Sequence, residues 1–208
     1  MVAGSMALSS VLLIHGGESV LADRALAEAL ALRGDFEKTV VDGGSLEIGR
    51  YAEAVAPSLF ADKRVLVIRD LQDVIMEVQE EIEAQFEHLD PNLHLIFLHK
   101  GGVKGKALLE KIKKLKSEIV TCEPMKKAAD KEAFVREEFA RHGRKISADA
   151  ISALVDAIGS DTRELAAACS QIAFDTNAGT AVIGESDIAR YYQGRIEATG
   201  FDVADATL

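Results

Sequence analysis

Residues 11–17 have the sequence Val-Leu-Leu-Ile-His-Gly-Gly, and they indicate the fold class of the first half of the chain. Four consecutive apolar residues followed by a glycine pair are typical of a strand buried on both faces of a parallel sheet. An amphipathic helical pattern follows, and its apolar face carries Leu21, Ala25, Leu26, Ala29 and Leu30. A buried strand, a glycine turn and such a helix form one unit of an α/β domain.

Four further apolar runs follow in the first half of the chain. They cover residues 39–41, 65–68, 95–98 and 119–122. A polar helical pattern over residues 77–87 and a basic one over residues 106–116 separate the later runs. Because strands alternate with helices, the sequence predicts an α/β domain with a mostly parallel sheet.

The pattern changes after Pro124, and no strand is predicted beyond residue 131. Ser147 and Asp161 stand at positions where they would cap helices, and Gly159 is predicted to end the helix between them. We therefore predict a bundle of three or four helices after the α/β domain. The expected boundaries are residues 1–125 for the α/β domain, 126–193 for the bundle, and 194–208 for the start of a linker to a further domain absent from this chain.

Composition limits the classes of partner. Lys and Arg number 24 against 34 Asp and Glu, which gives a net charge of −10. A nucleic-acid binder usually has a basic surface, so any DNA contact is expected to be local or shared with other subunits. The two cysteines are predicted to be buried, reduced thiols of a cytoplasmic protein. No apolar run approaches membrane-spanning length, so we predict no membrane contact.

The strand followed by Gly-Gly invites comparison with a phosphate-binding loop, which requires Gly, four residues and then Gly-Lys-Ser/Thr. Counted from Gly16, the last three positions hold Leu21, Ala22 and Asp23, and none fits. The strand at residues 65–68 is followed by Asp70 without the Glu that an ATPase needs. We therefore predict no catalytic residues and no cofactor. The histidines lack metal-ligand spacing, so no metal site is predicted either.

A second glycine-rich segment, residues 101–106, also fails the count. Only three residues separate Gly101 from Gly105, and Ala107 replaces the required hydroxyl. Two interpretations remain open. The segment is a flexible basic loop, or it is a local contact to DNA phosphates. The candidate residues for that contact are Lys100, Lys104 and Lys106.

Residues 55–64 contain two adjacent large apolar residues, Leu59 and Phe60, in a connection that would normally be polar. Pro57 favours an extended backbone in the residue before it. Composition alone favours a connection whose apolar pair is tucked beneath the sheet. The alternative is an exposed apolar wedge that binds a partner.

Several segments, in their order and spacing, resemble the delta subunit of the bacterial DNA polymerase III clamp loader. Ser58-Leu59-Phe60 followed by Lys-Arg-Val-Leu-Val-Ile at residues 63–68 resembles the clamp-binding element and next strand of this family. Further similar segments are residues 13–18, 123–125, 133–136, 159–165 and 201–206. Together the resemblance extends over roughly residues 11–208.

The resemblance implies an AAA+-like α/β domain that has lost its nucleotide site, followed by a small helical lid-type domain. It implies that Leu59 and Phe60 bind the β sliding clamp, with Ser58 shaping the turn and Pro57 beside it, and this favours the exposed wedge. Pro57 departs from the apolar residue of some members, and Val55 stands where clamp-binding peptides often carry Gln. The contact is therefore expected to be smaller or differently oriented.

The implied function is that of a non-catalytic subunit of the DNA polymerase III holoenzyme, which opens the clamp for loading on primed DNA in the cytoplasm. The implied partners are the β sliding clamp, the gamma/tau and delta prime subunits, and primer-template DNA through the assembled complex. The third domain of the family, which builds the collar of the loader, is expected to be missing. Two alternatives stay open: a degenerate AAA+ nucleotide-binding protein, and a DNA-binding module.

Overall fold

The computed structural model describes residues 9–58, 62–115, 117–176 and 181–192. The chain divides into two compact units between Pro124 and Met125. The first unit contains a β-sheet and the second is helical.

The first unit is built on one five-stranded sheet, in which every neighbouring pair of strands is parallel. Its spatial order is β2-β3-β4-β1-β5. The strands are β1 (Val11–His15), β2 (Glu37–Asp42), β3 (Arg64–Arg69), β4 (Leu93–His99) and β5 (Glu118–Thr121). The predicted α/β fold with a mostly parallel sheet is confirmed, and all five predicted strands are present.

Helices cover both faces of the sheet. The α-helices among the described residues of this unit are α1 (Ser19–Ala31), α2 (Arg50–Val55), α3 (Met76–Gln85) and α4 (Lys106–Lys114). Since successive strand side chains point to opposite faces, Leu13 and Phe97 pack in the cluster that includes residues of α2, α3 and α4. Ile14 and Ile96 pack in the other cluster, with residues of α1. All seven residues of β4 are buried, as expected for the central strand.

A parallel sheet has two chemically different edges, and both matter for function. At the carboxyl edge, His15 is in register with His99 on β4 and with Thr121 on β5. At the amino edge, Arg64 at the start of β3 lies between Glu37 of β2 and Leu93 of β4. The glycine pair after β1 therefore lies at the carboxyl edge, and the connection that precedes β3 leads into the amino edge.

The second unit contains α5 (Ala128–Arg141), α6 (Ala148–Ile158), α7 (Thr162–Asp175) and the helical residues 185–192. Both predicted caps are present: Ser147 Oγ accepts a hydrogen bond from the Ala150 N–H at 3.2 Å, and Asp161 Oδ1 accepts one from the Glu164 N–H at 2.9 Å. One isolated parallel bridge, between Ile146 and Ile183, was not predicted. A bridge of one residue pair leaves no periodic pattern in the sequence.

None of the helices among the described residues combines the length and the apolar character needed to cross a bilayer.

A buried arginine, Arg33, fixes the end of α1 against β4. Arg33 is only 2% exposed, and its guanidinium donates to the carbonyl oxygens of Ala29 and Ser9 at 2.9 and 3.1 Å. Its Nε donates to Nδ1 of His94 at 3.3 Å. Burial lowers the pKa of His94, and the charge of Arg33 lowers it further. Folding therefore favours the neutral form of this imidazole.

We predict that stability falls as the pH drops below the ordinary histidine pKa of about 6.5. Below that pH, His94 binds a proton in the unfolded chain but not in the folded chain, until the pH reaches the lowered pKa of His94 in the folded chain. Buried His99, whose pKa is also lowered by desolvation, acts in the same direction. Urea midpoints measured between about pH 7.5 and about pH 5.5 should decrease, and His94→Gln should reduce the decrease. An unchanged pH dependence in that variant would show that His94 is not responsible.

Candidate functional site

The glycine pair after β1 serves contacts within the protein. Gly16 has φ +142°, and a Cβ atom there would lie 2.1 Å from the carbonyl oxygen of Cys122. The N–H of Gly16 donates to the His99 carbonyl at 3.0 Å, and the N–H of Glu18 donates to the Cys122 carbonyl at 2.8 Å. A phosphate-binding loop needs its N–H groups directed at the phosphate. Here two of those donors already bond the ends of neighbouring strands.

A carboxylate occupies the start of α1. Glu18 is the N-cap residue, and its Oε1 accepts a hydrogen bond from the Val20 N–H at 3.4 Å. The N-terminus of a helix is where a phosphate would bind in a nucleotide site. A negative side chain in that place repels a phosphate, which agrees with the failed motif count.

Ion pairs fill the carboxyl edge beyond β3 and β4. Asp70 and Lys100 lie 2.7 Å apart, and Asp73 and Lys104 lie 2.6 Å apart. The hydrogen bond from Lys100 lowers the pKa of Asp70, and the one from Lys104 lowers the pKa of Asp73. Two of the three candidate lysines for a DNA phosphate contact, Lys100 and Lys104, therefore already pair with carboxylates. Asp70 is the N-cap residue of a 3₁₀ turn (Leu71–Asp73), and its side chain makes no capping hydrogen bond.

Lys106, the third candidate for a DNA contact, begins α4 and is exposed. Within the described part of the chain, no carboxylate pairs with it. Gly105 precedes it with φ +67°, and a Cβ there would lie 2.8 Å from Cα of Gln72. The glycine is therefore required for close packing of this loop on the turn after β3.

A cavity of about 230 Å³ lies at the carboxyl edge, where α/β proteins commonly bind ligands. Its charged lining residues pair with one another: Arg69 with Asp23 at 2.5 Å, and Lys100 with Asp70 at 2.7 Å. A nucleotide would need the cations that these carboxylates already neutralise.

We therefore expect no binding of Mg-ATP to this chain. In a calorimetric titration the heat should equal that of dilution, and the thermal midpoint should not change at millimolar nucleotide, since a ligand stabilises only what it binds. A saturable binding isotherm that disappears in Lys100→Ala would contradict this expectation and would favour the degenerate nucleotide-binding alternative.

His15 and His99, the last residues of β1 and β4, meet at the carboxyl edge with ring centroids 5.8 Å apart. Nδ1 of His99 accepts a hydrogen bond from the Gly101 N–H at 2.9 Å, so Nε2 carries the proton and donates to the Lys104 carbonyl at 3.1 Å. Both ring nitrogens of His99 thus hold the loop after β4. Among the described residues, no group of three or more potential metal ligands is present.

The connection predicted to bind the clamp leaves α2 at the amino edge. Ala56 caps α2 with φ −58° and ψ 143°, the extended backbone predicted for the residue before Pro57. Pro57 is exposed and Ser58 is half-buried. Leu59 and Phe60, the two predicted anchors, lie outside the described residues. A cavity of about 320 Å³ adjoins Pro57 and Ser58, and it is lined in part by β2 and β3.

Arg64, the first residue of β3, was not predicted to have a functional role. It is only 7% exposed, and its guanidinium donates to the carbonyl oxygens of Ala56 and, at 3.2 Å, of Val55. It also pairs with Asp90 at 3.3 Å. Two consecutive basic residues before an apolar run, here Lys63 and Arg64, are usually both exposed to solvent. The local sequence therefore does not indicate that one of them is buried.

The start of α2 is also held by tertiary contacts. The Gly49 N–H donates to Glu81 Oε1 at 3.0 Å. Tyr51 is buried in the core, and burial raises its pKa, as does the charge of Glu81. The Tyr51 hydroxyl and Glu81 Oε2 lack hydrogen-bond partners among the described residues. The helix that leads into the connection is thus fixed at both ends.

The fold and the carboxyl edge define the class of protein. The chain has an α/β domain of AAA+-like fold followed by a small helical unit, and the Gly-Lys-Ser/Thr positions of a phosphate-binding loop counted from Gly16 hold Leu21, Ala22 and Asp23.

The family model described as DNA polymerase III, delta subunit, matches residues 27–123. The resemblance to that family predicted from the sequence is therefore confirmed for this part of the chain, which contains the connection at residues 56–63. A search of curated proteins finds no match.

Solved structures with a similar fold include the DNA clamp loader delta protein of Bacillus subtilis, with a TM-score of 0.60 and 15% identity over 88% of this chain and 58% of that one. A mutant RuvB of Thermotoga maritima has a TM-score of 0.59 and 13% identity, over 88% of this chain and 61% of that one. Another Thermotoga maritima RuvB structure, titled a Holliday junction branch migration motor, has a TM-score of 0.55, 13% identity and the same coverage. The chain thus spans about three fifths of their length, and these likenesses show the fold.

Proposed function

We propose that this chain is the clamp-binding part of a clamp-loader delta subunit. It binds the ring-shaped β sliding clamp through Pro57, Ser58, Leu59 and Phe60, and opens it for loading on primed DNA in the cytoplasm. The observation that carries the proposal is the match of the delta-subunit family over residues 27–123, which include this connection. The exposure of Pro57 at the edge of the unit also supports it.

The binding free energy expected from two apolar side chains is suited to a reversible contact with the clamp. Burying two apolar side chains in a pocket contributes roughly 1.5–3 kcal/mol for each, concentrated as a hot spot at the centre of the contact. Such an anchor holds the clamp and still releases it. A partner shifts a conformational equilibrium only by its differential affinity for the two states, so the chain opens the ring by binding a strained clamp more tightly than a closed one.

The subunit contributes no catalysis in this proposal. Internal ion pairs and the Glu18 cap occupy the place of a nucleotide site, so ATP acts in the neighbouring gamma/tau subunits, and delta prime completes the assembly. Residues 1–125 form the AAA+-like part and residues 126–193 the lid-type part. Primer-template DNA is held mainly by the assembled complex, and Lys106, rather than Lys100 or Lys104, is the cation available for a local phosphate contact.

The proposal is tested by calorimetric titration of a purified bacterial sliding clamp with the 208-residue chain. Saturable binding that does not depend on nucleotide supports it. Absence of binding to the cognate clamp would leave the fold assignment in place and remove the functional one.

A further inference from the structure

The connection that contains residues 57–60 joins α2 to β3. One side chain of β3 also contacts the end of α2, so it links the two elements that the connection joins. Arg64 belongs to β3, and its guanidinium reaches back to the carbonyl oxygens of Val55 and Ala56 at the end of α2. These hydrogen bonds therefore join the first residue of β3 to the end of α2.

The end of α2 needs such a partner. The helix has only 6 residues, and a helix this short is marginal in water without tertiary contacts. Its last carbonyl groups have no intrahelical donors. The two donors of Arg64 satisfy carbonyls at this end, and the positive charge is favourable at a helix C-terminus.

The guanidinium is itself fixed in place. The backbone N–H of Arg64 donates to the Asn92 carbonyl at 2.9 Å, and Asp90 pairs with the guanidinium at 3.3 Å. Asp90 is oriented in turn by the Asn92 N–H, which donates to its Oδ1 at 2.8 Å. The planar guanidinium presents several donors in a fixed geometry, which the point charge of a lysine does not reproduce.

We infer that Arg64 is a positioning residue for clamp binding. It fixes the direction in which the chain leaves α2. It thereby orients Pro57 and Ser58, which begin the clamp-binding connection. This inference rests on the proposed function, because it assigns Arg64 to the presentation of the clamp-binding residues. Arg64 is buried, so it contributes to clamp binding through the residues that it orients and does not have to contact the clamp itself.

The first test is Arg64→Lys, measured by the affinity of the whole chain for the sliding clamp. We expect binding to weaken about tenfold, because apparent affinity falls in proportion to the population of the competent conformation. Asp90→Asn, which keeps the buried arginine and loses its ion pair, should weaken binding about threefold on the same reasoning. This milder variant remains informative if Arg64→Lys folds poorly.

Arg33→Lys is the matched control. Arg33 is also a buried arginine of the same unit, and it likewise donates to a carbonyl at the end of a helix, that of Ala29. None of its observed bonds involves residues 55–58. Urea denaturation gives the loss of stability of each variant, and Arg33→Lys should lose stability without losing clamp affinity.

A double-mutant cycle with Phe60→Ala separates presentation from general destabilisation. If Arg64 acts by presenting the connection, Arg64→Lys should weaken clamp binding much less in the Phe60→Ala background than in the parent. Equal weakening in both backgrounds, or equal weakening by Arg33→Lys, would overturn the inference. Should Phe60→Ala itself leave affinity unchanged, the proposed function fails, and this outcome is distinct from the failure of the Arg64 inference.

Discussion

Replacing Leu59 and Phe60 together by alanine is expected to weaken binding to a bacterial sliding clamp by about 10²–10⁴-fold. Each side chain buried in an apolar pocket contributes roughly 1.5–3 kcal/mol, and about 1.4 kcal/mol corresponds to a factor of ten in the dissociation constant. Circular dichroism and the urea midpoint should match those of the parent. Calorimetry or surface plasmon resonance with purified clamp measures the change.

A matched control removes two apolar side chains elsewhere on the same unit. Leu32 and Val103 are 68% and 87% exposed, so Leu32→Ala/Val103→Ala also removes two large apolar side chains, both of them accessible to solvent. Its affinity for the clamp should equal that of the parent. If both double variants bind as the parent does, the contact lies elsewhere on the chain.

Gly16→Ala is expected to destabilise the α/β unit by about 3 kcal/mol or more. A methyl group at this position would lie 2.1 Å from the Cys122 carbonyl oxygen, which is backbone and cannot rotate away. The φ of +142° adds strain for any residue with a Cβ. Strained backbone and overpacking each cost about 1–3 kcal/mol. Urea denaturation followed by circular dichroism measures the loss.

Gly102→Ala provides the comparison. Gly102 also has a positive φ, +87°, but nothing lies within 4 Å of the place that an alanine methyl group would take. Only the backbone strain of about 1–3 kcal/mol therefore applies. The difference in the free energy of unfolding between the two variants reports mainly the contact of residue 16 with Cys122, the residue after β5. Equal losses would mean that the contact with Cys122 relaxes at no cost.

The requirement for Gly16 explains why the turn after β1 resembles a phosphate loop without binding phosphate. Its N–H donates to the His99 carbonyl, and the neighbouring Glu18 N–H donates to Cys122. The glycine is thus explained by packing against the ends of β4 and β5. We expect a glycine here whether or not a nucleotide binds.

Local patterns predicted the elements of the fold. The apolar runs that became β1 and β4 are nearly continuous because both faces of these strands are buried. Caps such as Ser147 and Asp161 were predicted because each bonds an N–H three residues away. Signals of this kind lie within a few residues of the structure they specify.

Contacts between distant segments could not be predicted. Lys104 and Asp73 are far apart in the sequence, and their pairing depends on the parallel register that brings the ends of β3 and β4 together. The burial of Arg64 depends on contacts with the carbonyl groups at the end of α2 and with Asp90 in the turn before β4. The roles of Leu59 and Phe60 came from the family resemblance and stay a prediction.

Ring opening without nucleotide is best tested by clamp release. A bacterial sliding clamp is loaded on nicked circular DNA, the 208-residue chain is added without ATP, and clamp that leaves the DNA is followed by gel filtration. We predict faster release that saturates with chain concentration and is absent with Leu59→Ala/Phe60→Ala. Binding of the chain to the clamp with no increase in release, or release that requires ATP, would contradict the proposed clamp-opening role.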